Sequence, residues 1–195
     1  DIGSGMPTMG NVHEIAQAAA PSAHVVYVDI DPVAVAHSQA ILRGNPGASA
    51  IRADARQPDQ ILDHAEVRRL LDWGRPVAVL FVLVLHLLPD DDQAYHTVVT
   101  LRDALTAGSY VAVSHPSYED APSALLQQVN KLTETAASRY QYRTLAKIRR
   151  FFNGLDLVEP GLVYTPLWRP ESLQDLLVDE PQRSLCFAGV GLKSS

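Results

Sequence analysis

The stretch from Pro76 to Leu85, Pro-Val-Ala-Val-Leu-Phe-Val-Leu-Val-Leu, is a nearly continuous apolar run, and it limits the fold more than any other feature of this chain. Such a run reads as a strand buried on both faces, the condition of a central strand in a parallel sheet. It is too short to span a bilayer, and Pro89 follows soon after it. Helical patterns alternate with other apolar runs on either side. Val25 to Val28 is a β-branched strand, after which Asp31 caps and Pro32 opens a helix running to about Leu42. Gly44-Asn45-Pro46-Gly47 is a turn, and Ala48 to Ala53 is a short strand. Pro58 to Leu71 has helical periodicity in Ile61, Leu62, Ala65, Leu70 and Leu71. Pro89-Asp90-Asp91-Asp92 starts a further helix, with acids suited to its positive end, which stops near Gly108. Ser109 to Ser114 is the next strand. Helices over 121–137 and 144–152 follow, then strands at Leu155 to Val158 and Ser184 to Gly191, with 160–181 between them as a proline-rich loop holding about one helical turn. Strands alternating with helices make an α/β domain whose ligands lie at the carboxyl ends of the strands. With 195 residues, a single domain over 1–195 is the expectation.

Four strand ends converge on that crevice. They read Asp1-Ile2-Gly3-Ser4-Gly5, Asp29-Ile30-Asp31-Pro32, Asp54-Ala55 and Leu83-Val84-Leu85-His86. A Gly-x-Gly turn lets a ligand approach the backbone, because glycine lacks Cβ and tolerates positive φ. A carboxylate about twenty to thirty residues later, at the end of the next strand, is where α/β nucleotide folds grip a ribose. The first carboxylate selects among nucleotides. Asp1 stands two residues before Gly3 and beside a helix expected near Asn11, so a pyrophosphate there meets a negative charge and a cationic ligand is attracted. S-adenosylmethionine has a ribose, an adenine, a sulfonium and an ammonium, and no phosphate. Only Ile2 represents the strand expected before Gly3, so the sequence is expected to begin mid-strand, after an upstream segment that completes it.

Taken in order, these motifs resemble the class I S-adenosylmethionine-dependent methyltransferases from Asp1 to about Ser114. More narrowly, Asp1 to Thr8, Asn11-x-His13-Glu14, Val26 to Pro32, Leu85 to Asp92, Phe151-Phe152-x-Gly154-Leu155 and Ala188-Gly189-Val190-Gly191 are similar to an actinobacterial methyltransferase family first described as a domain of unknown function. The resemblance implies a Rossmann-like fold: a mostly parallel seven-stranded sheet with a reversed last hairpin, helices on both faces and a first strand truncated here. It implies S-adenosylmethionine as cofactor. Asp1 would hold the methionine ammonium, and Gly3 and Gly5 would let the loop wrap the methionyl and ribose portion. Asp29 would take both ribose hydroxyls, since a carboxylate accepts two hydrogen bonds at once. Ile30 would pack on the adenine face, Asp54 would accept from the adenine amine, and the Ala55 N–H would donate to the ring. Leu85 and His86 lie where the methyl group should emerge. The acceptor is not part of what the resemblance supplies.

Methyl transfer is an in-line displacement in which alignment contributes most, and a base is needed only when the acceptor loses a proton. His86 is the candidate for that role. Plainer readings stand beside these: Asp31 as a helix cap, Asp54 as a turn residue, His86 as a core histidine, and His13 as an anchor of the first helix. His115, Tyr118, Tyr140 and Tyr142 line an acceptor pocket or merely pack, Trp168 anchors a loop, and Asp90 to Asp92 begin a helix rather than bind metal. Two rivals stay open, a nicotinamide-dependent oxidoreductase and a non-catalytic cofactor-binding module. The dinucleotide fingerprint places a third glycine where Thr8 stands. A net charge of -6 offers no basic face for nucleic acid, so a small-molecule acceptor is expected, with no membrane partner and with homo-oligomerisation open. One cysteine, Cys186, excludes an internal disulfide and suits a reducing, cytoplasmic setting.

Overall fold

A computed structural model describes residues 1–7, 10–119, 121, 127, 140–172 and 176–194. The helix expected over 121–137 falls, apart from two positions, outside these residues. Strands β1 (Val25–Asp29), β2 (Ala48–Arg52), β3 (Ala78–Val82), β4 (Ser109–Pro116), β5 (Asp156–Leu157), β6 (Val163–Tyr164) and β7 (Cys186–Lys193) alternate with helices. The helices are α1 (Val12–Ala19), α2 (Pro32–Ile41), α3 (Pro58–Asp63), α4 (Ala65–Leu70), α5 (Asp91–Asp103) and α6 (Leu145–Arg149).

The strands form two ladders. β1 and β2 are parallel, and β3 and β4 are parallel, while β7 runs antiparallel to β4, β5 and β6. Ile2 joins the ladders. It bridges Val28 of β1 in parallel register, and its N–H donates to the Leu80 carbonyl of β3 at 2.9 Å. On one side, the Val28 N–H donates to the Asp1 carbonyl at 2.8 Å and the Gly3 N–H to the Val28 carbonyl at 2.7 Å. The fold is therefore an α/β arrangement with the expected reversed terminal strand, but its strands are mixed rather than mostly parallel and form a two-stranded and a five-stranded ladder linked through Ile2 rather than one seven-stranded sheet, because β7 pairs antiparallel with β4, β5 and β6.

Alternation along β1 puts helices on both faces. Val25 and Tyr27 pack with Val35 and Leu42 at α2, whereas Val26 and Val28 join the larger core with Ile61 of α3, Val67 of α4 and Val98 of α5. Local chemistry sets the helix starts. Asp31 accepts from the Val33 N–H at 2.8 Å and Pro32 follows it, while Asp90 accepts from the Asp92 and Gln93 N–H groups. The Glu14 carboxylate accepts from the Asn11 N–H at 3.0 Å at the start of α1.

Three local expectations are corrected. Pro58 to Leu71 is two helices, because His64 turns out of the helix and its Nδ1 accepts from the Glu66 N–H to cap α4. The 160–181 stretch holds strand β6 besides the 3-10 turn Thr165–Leu167. β3 is buried at Val79 and Phe81 but open at Ala78 and Val82, so the apolar run from 76 to 85 is only partly enclosed.

Candidate functional site

A cleft of about 500 Å³ opens at the carboxyl ends of β1, β2 and β3. It brings Gly3, Gly5, Asp29, Ile30, Asp54 and Ala55 onto one surface, opposite Leu83, Val84, Leu87, Leu88 and Pro89. Both glycines adopt left-handed backbone, with φ of 69° at Gly3 and 65° at Gly5. At Gly3 the turn also needs the missing side chain, since a Cβ there would lie 2.2 Å from Val84 Cγ2.

Asp29 fixes this turn from below. Its Oδ2 accepts from the Gly5 N–H at 2.7 Å, and its Oδ1 accepts from the Asp31 N–H at 2.9 Å. A carboxylate offers about four lone-pair positions, so one position on each oxygen stays available. The neighbouring carboxylate differs. Asp54 is engaged by the Arg56 backbone and guanidinium, and these bonds hold its pKa below the usual carboxylate range. Ile30 is 52% exposed, and Leu83 and Leu87 are also exposed, so the rim of the cleft is apolar. Leu83 is strained as well: its φ is 50°, a conformation that bulky L residues avoid. Its N–H is held by the Ser114 hydroxyl at 3.1 Å.

Asp1, Leu85 and His86 lie apart from this surface. Asp1 borders an adjoining pocket of about 150 Å³ with Ser4, Gly5, His13 and Tyr27. His13 anchors the start of α1 there, its N–H donating to the Tyr27 hydroxyl at 2.8 Å. Leu85 does not reach the cleft. It is wholly buried in the core, and Leu83, Val84 and Leu87 take the position expected of it. His86, on the 3-10 turn Leu85–Leu87, does not line the cleft either. Its ring stacks on Tyr140 at 5.4 Å and meets His115 edge-on at 6.1 Å. Burial, helped by the nearby Arg143 charge, lowers its pKa and keeps the ring neutral. Tyr118 and Tyr142 stack on each other at 3.9 Å.

The residue that organises this turn is Arg143, for which the sequence gives no signal beyond one arginine in a polar stretch. It is 1% exposed. Its guanidinium donates to the Leu85 carbonyl at 2.8 Å, the Leu88 carbonyl at 2.8 Å and Asp91 Oδ1 at 2.9 Å. It also meets His115 Nε2 at 3.0 Å, while His115 Nδ1 faces the Pro116 carbonyl at 2.8 Å. The partners fix the tautomer: Nδ1 carries the proton and Nε2 accepts. Asp91 also takes Lys147 Nζ at 2.8 Å, so the carboxylates expected to start α5 are a cap at Asp90 and an ion-pair hub at Asp91.

Burial drives the His115 pKa from 6.5 down to about 4, opposed by its bond to Pro116 and assisted by the Arg143 charge. Because the folded value lies below the unfolded one, the unfolded chain takes the proton first on acidification. The resulting stability is complete above about pH 6.5 and is lost as pH falls toward 4, by up to about 1.4 kcal/mol per pH unit. Urea titrations at pH 7 and pH 5 measure that loss, and His115→Gln is expected to reduce it.

The chain matches the family described as S-adenosyl methyltransferase over residues 1–194. No curated protein matches it significantly. Among solved structures, it is similar to a candidate methyltransferase from Thermobifida fusca YX, with 40% identity and a TM-score of 0.89 over 100% of this chain and 72% of that one. It is also similar to a DUF574 family protein from Streptomyces avermitilis, with 37% identity and a TM-score of 0.87 over 99% of this chain and 74% of that one. A likeness of fold extends to the N-methyltransferase NodS from Bradyrhizobium japonicum, solved with S-adenosyl-l-homocysteine, at 12% identity and a TM-score of 0.51 over 87% of this chain and 66% of that one.

Proposed function

Because the chain belongs to the S-adenosyl methyltransferase family, we propose that it transfers the methyl group of its cofactor, S-adenosylmethionine, to a small-molecule acceptor, and that the cleft beside Asp29 holds the cofactor. The observation that carries the placement is the state of Asp29. Two of its lone-pair positions secure the glycine turn and the α2 entry, and two remain, one on each oxygen, as the neighbouring hydroxyls of a ribose require. The rest of the lining fits the group. Ile30 and Leu87 offer apolar surface to a planar base, and Asp54 and the Ala55 backbone stand at its polar edge. Asp1, in the adjoining pocket with Gly5, suits an ammonium.

Bound there, S-adenosylmethionine supplies an electrophilic methyl on a sulfonium. The chain's part is to hold and orient. Gly3 permits close approach, Asp29 fixes the sugar, and the apolar rim of Leu83, Val84 and Leu87 excludes water from the reacting side. For an acceptor that must lose a proton, His86 is the candidate base, its pKa lowered by burial, though it stands outside the lining of the cleft. Its Nδ1 is buried and has no hydrogen-bond partner among the described residues, so proton uptake there requires the surroundings of the ring to open to the acceptor. A small acceptor is favoured by the net charge of -6, which gives no basic face for a nucleic acid. No helix among the described residues is long and apolar enough to cross a membrane.

Calorimetric titration with S-adenosylmethionine tests the placement. Asp29→Ala is expected to lose about 2–3 kcal/mol of affinity, as two hydrogen bonds to a charged group would. Unchanged affinity in a folded Asp29→Ala protein removes Asp29 from the site. Release of S-adenosylhomocysteine across a panel of small acceptors separates an enzyme from a module that only binds.

A further inference from the structure

Arg56 occupies both oxygens of the carboxylate beside it. The Asp54 Oδ1 accepts from the Arg56 N–H at 2.9 Å and from Nε at 2.9 Å. The Asp54 Oδ2 accepts from the same Nε at 2.8 Å and from Nη2 at 2.5 Å. The one Nε–H is shared between the two oxygens, so three N–H groups of Arg56 occupy both oxygens of a carboxylate that has about four lone-pair positions. Asp54 and Arg56 both line the cleft, so a ligand amine arriving at Asp54 meets two oxygens that the guanidinium already holds and must compete with it. Asp29 is the contrast within the same cleft, with one donor on each oxygen.

We propose that Arg56 is a specificity-determining residue that competes with the ligand's exocyclic amine for Asp54, so that the cleft admits an adenine by exchanging a guanidinium for an amine. This rests on the reading of the cleft as the cofactor site. The exchange is cheap in this geometry. The Arg56 side chain is 51% exposed and the Asp54 side chain 20% exposed, so the released guanidinium goes into water, and such a pair contributes little. The backbone N–H of Arg56 stays on Oδ1 and keeps the turn after β2 in shape while the side chain leaves. A base with a carbonyl in place of the amine loses the exocyclic donor, keeps only its ring N1–H on that edge, and sets an oxygen against the carboxylate. Arg56 therefore raises the threshold for any base that cannot donate there, and Asp54 supplies the reward for one that can.

The test is a comparison of two ligands on two proteins. S-adenosylhomocysteine and its inosine counterpart, which has a carbonyl oxygen where the adenine has its amine, are titrated into the wild type and Arg56→Ala. Arg56→Ala is expected to bind S-adenosylhomocysteine about three- to fivefold more tightly, the weight of an exposed ion pair, with the inosine compound changed by less than about twofold. In the wild type, raising salt should improve S-adenosylhomocysteine binding slightly, and Arg56→Ala should lose that response. An equal gain for both ligands overturns the exchange, because Arg56 would then be a general obstruction. Weaker binding of both by Arg56→Ala also overturns it, because the guanidinium would then be supporting the ligand. Failure of the wild type to bind S-adenosylhomocysteine overturns the cofactor placement, and the exchange with it.

Discussion

Replacing Arg143 by methionine is expected to cost about 3–5 kcal/mol of folding stability, the range for removing one partner from a buried charged network. The side chain that leaves was bonded to two carbonyls of the 85–88 turn, to Asp91 and to His115, and methionine satisfies none of them. For a chain of 195 residues that corresponds to a melting temperature about 10–15 °C lower. Arg143→Lys keeps the charge but loses the planar fork that reaches several acceptors together, so it should recover only a minor part. The turn carries Leu87 and Leu88 on the cleft wall, so cofactor affinity should fall as well, measured at a temperature where the variant is folded. A shift of less than about 3 °C, scaled from the same size dependence, would show that the network is dispensable.

Gly3→Ala is expected to be nearly as damaging, and for a different reason. A left-handed φ of 69° costs an L residue about 1–2 kcal/mol. The added Cβ would also overlap Val84, with Cγ2 at 2.2 Å and Cβ at 2.7 Å, and relieving such overpacking typically costs about 1–3 kcal/mol more. Urea denaturation of Gly3→Ala, Val84→Ala and the double variant separates the two contributions. The double variant should be more stable than the sum of the singles predicts, since Val84→Ala removes the Cγ2 overlap and leaves the backbone strain and the 2.7 Å approach to the Cβ that alanine keeps. Strict additivity would mean that Val84 yields without cost.

The strand ends were legible because each joins two local signals, an apolar β-branched run and a carboxylate or glycine at its exit. That is why Asp29, Asp54, Gly3 and Gly5 could be placed around one crevice from residue order alone. The break at His64 was not legible, because apolar periodicity continues across it and the capping bond depends on a ring orientation that sequence does not carry. β6 was hidden in a proline-rich stretch, being two residues long and held by pairing with β7. Leu85 was misplaced because the chain turns left-handed at Leu83, which carries the side chains of 83, 84 and 87 to the cleft and that of 85 into the core. Arg143 was invisible because its acceptors lie from 28 to 58 residues away and converge only in the folded chain. The hold of Arg56 on Asp54 is local in sequence, yet it is a matter of rotamer, and rotamers are not written in residue order.

The cleft draws its lining from both ladders of the sheet. The cleft straddles the seam: Asp29 and Asp54 follow the ladder of β1 and β2, while Leu83 and Val84 follow that of β3 and β4. A molecule seated there would touch residues that follow both ladders, so its occupancy would tie the motions of the two together and add its binding free energy to the stability of the folded chain.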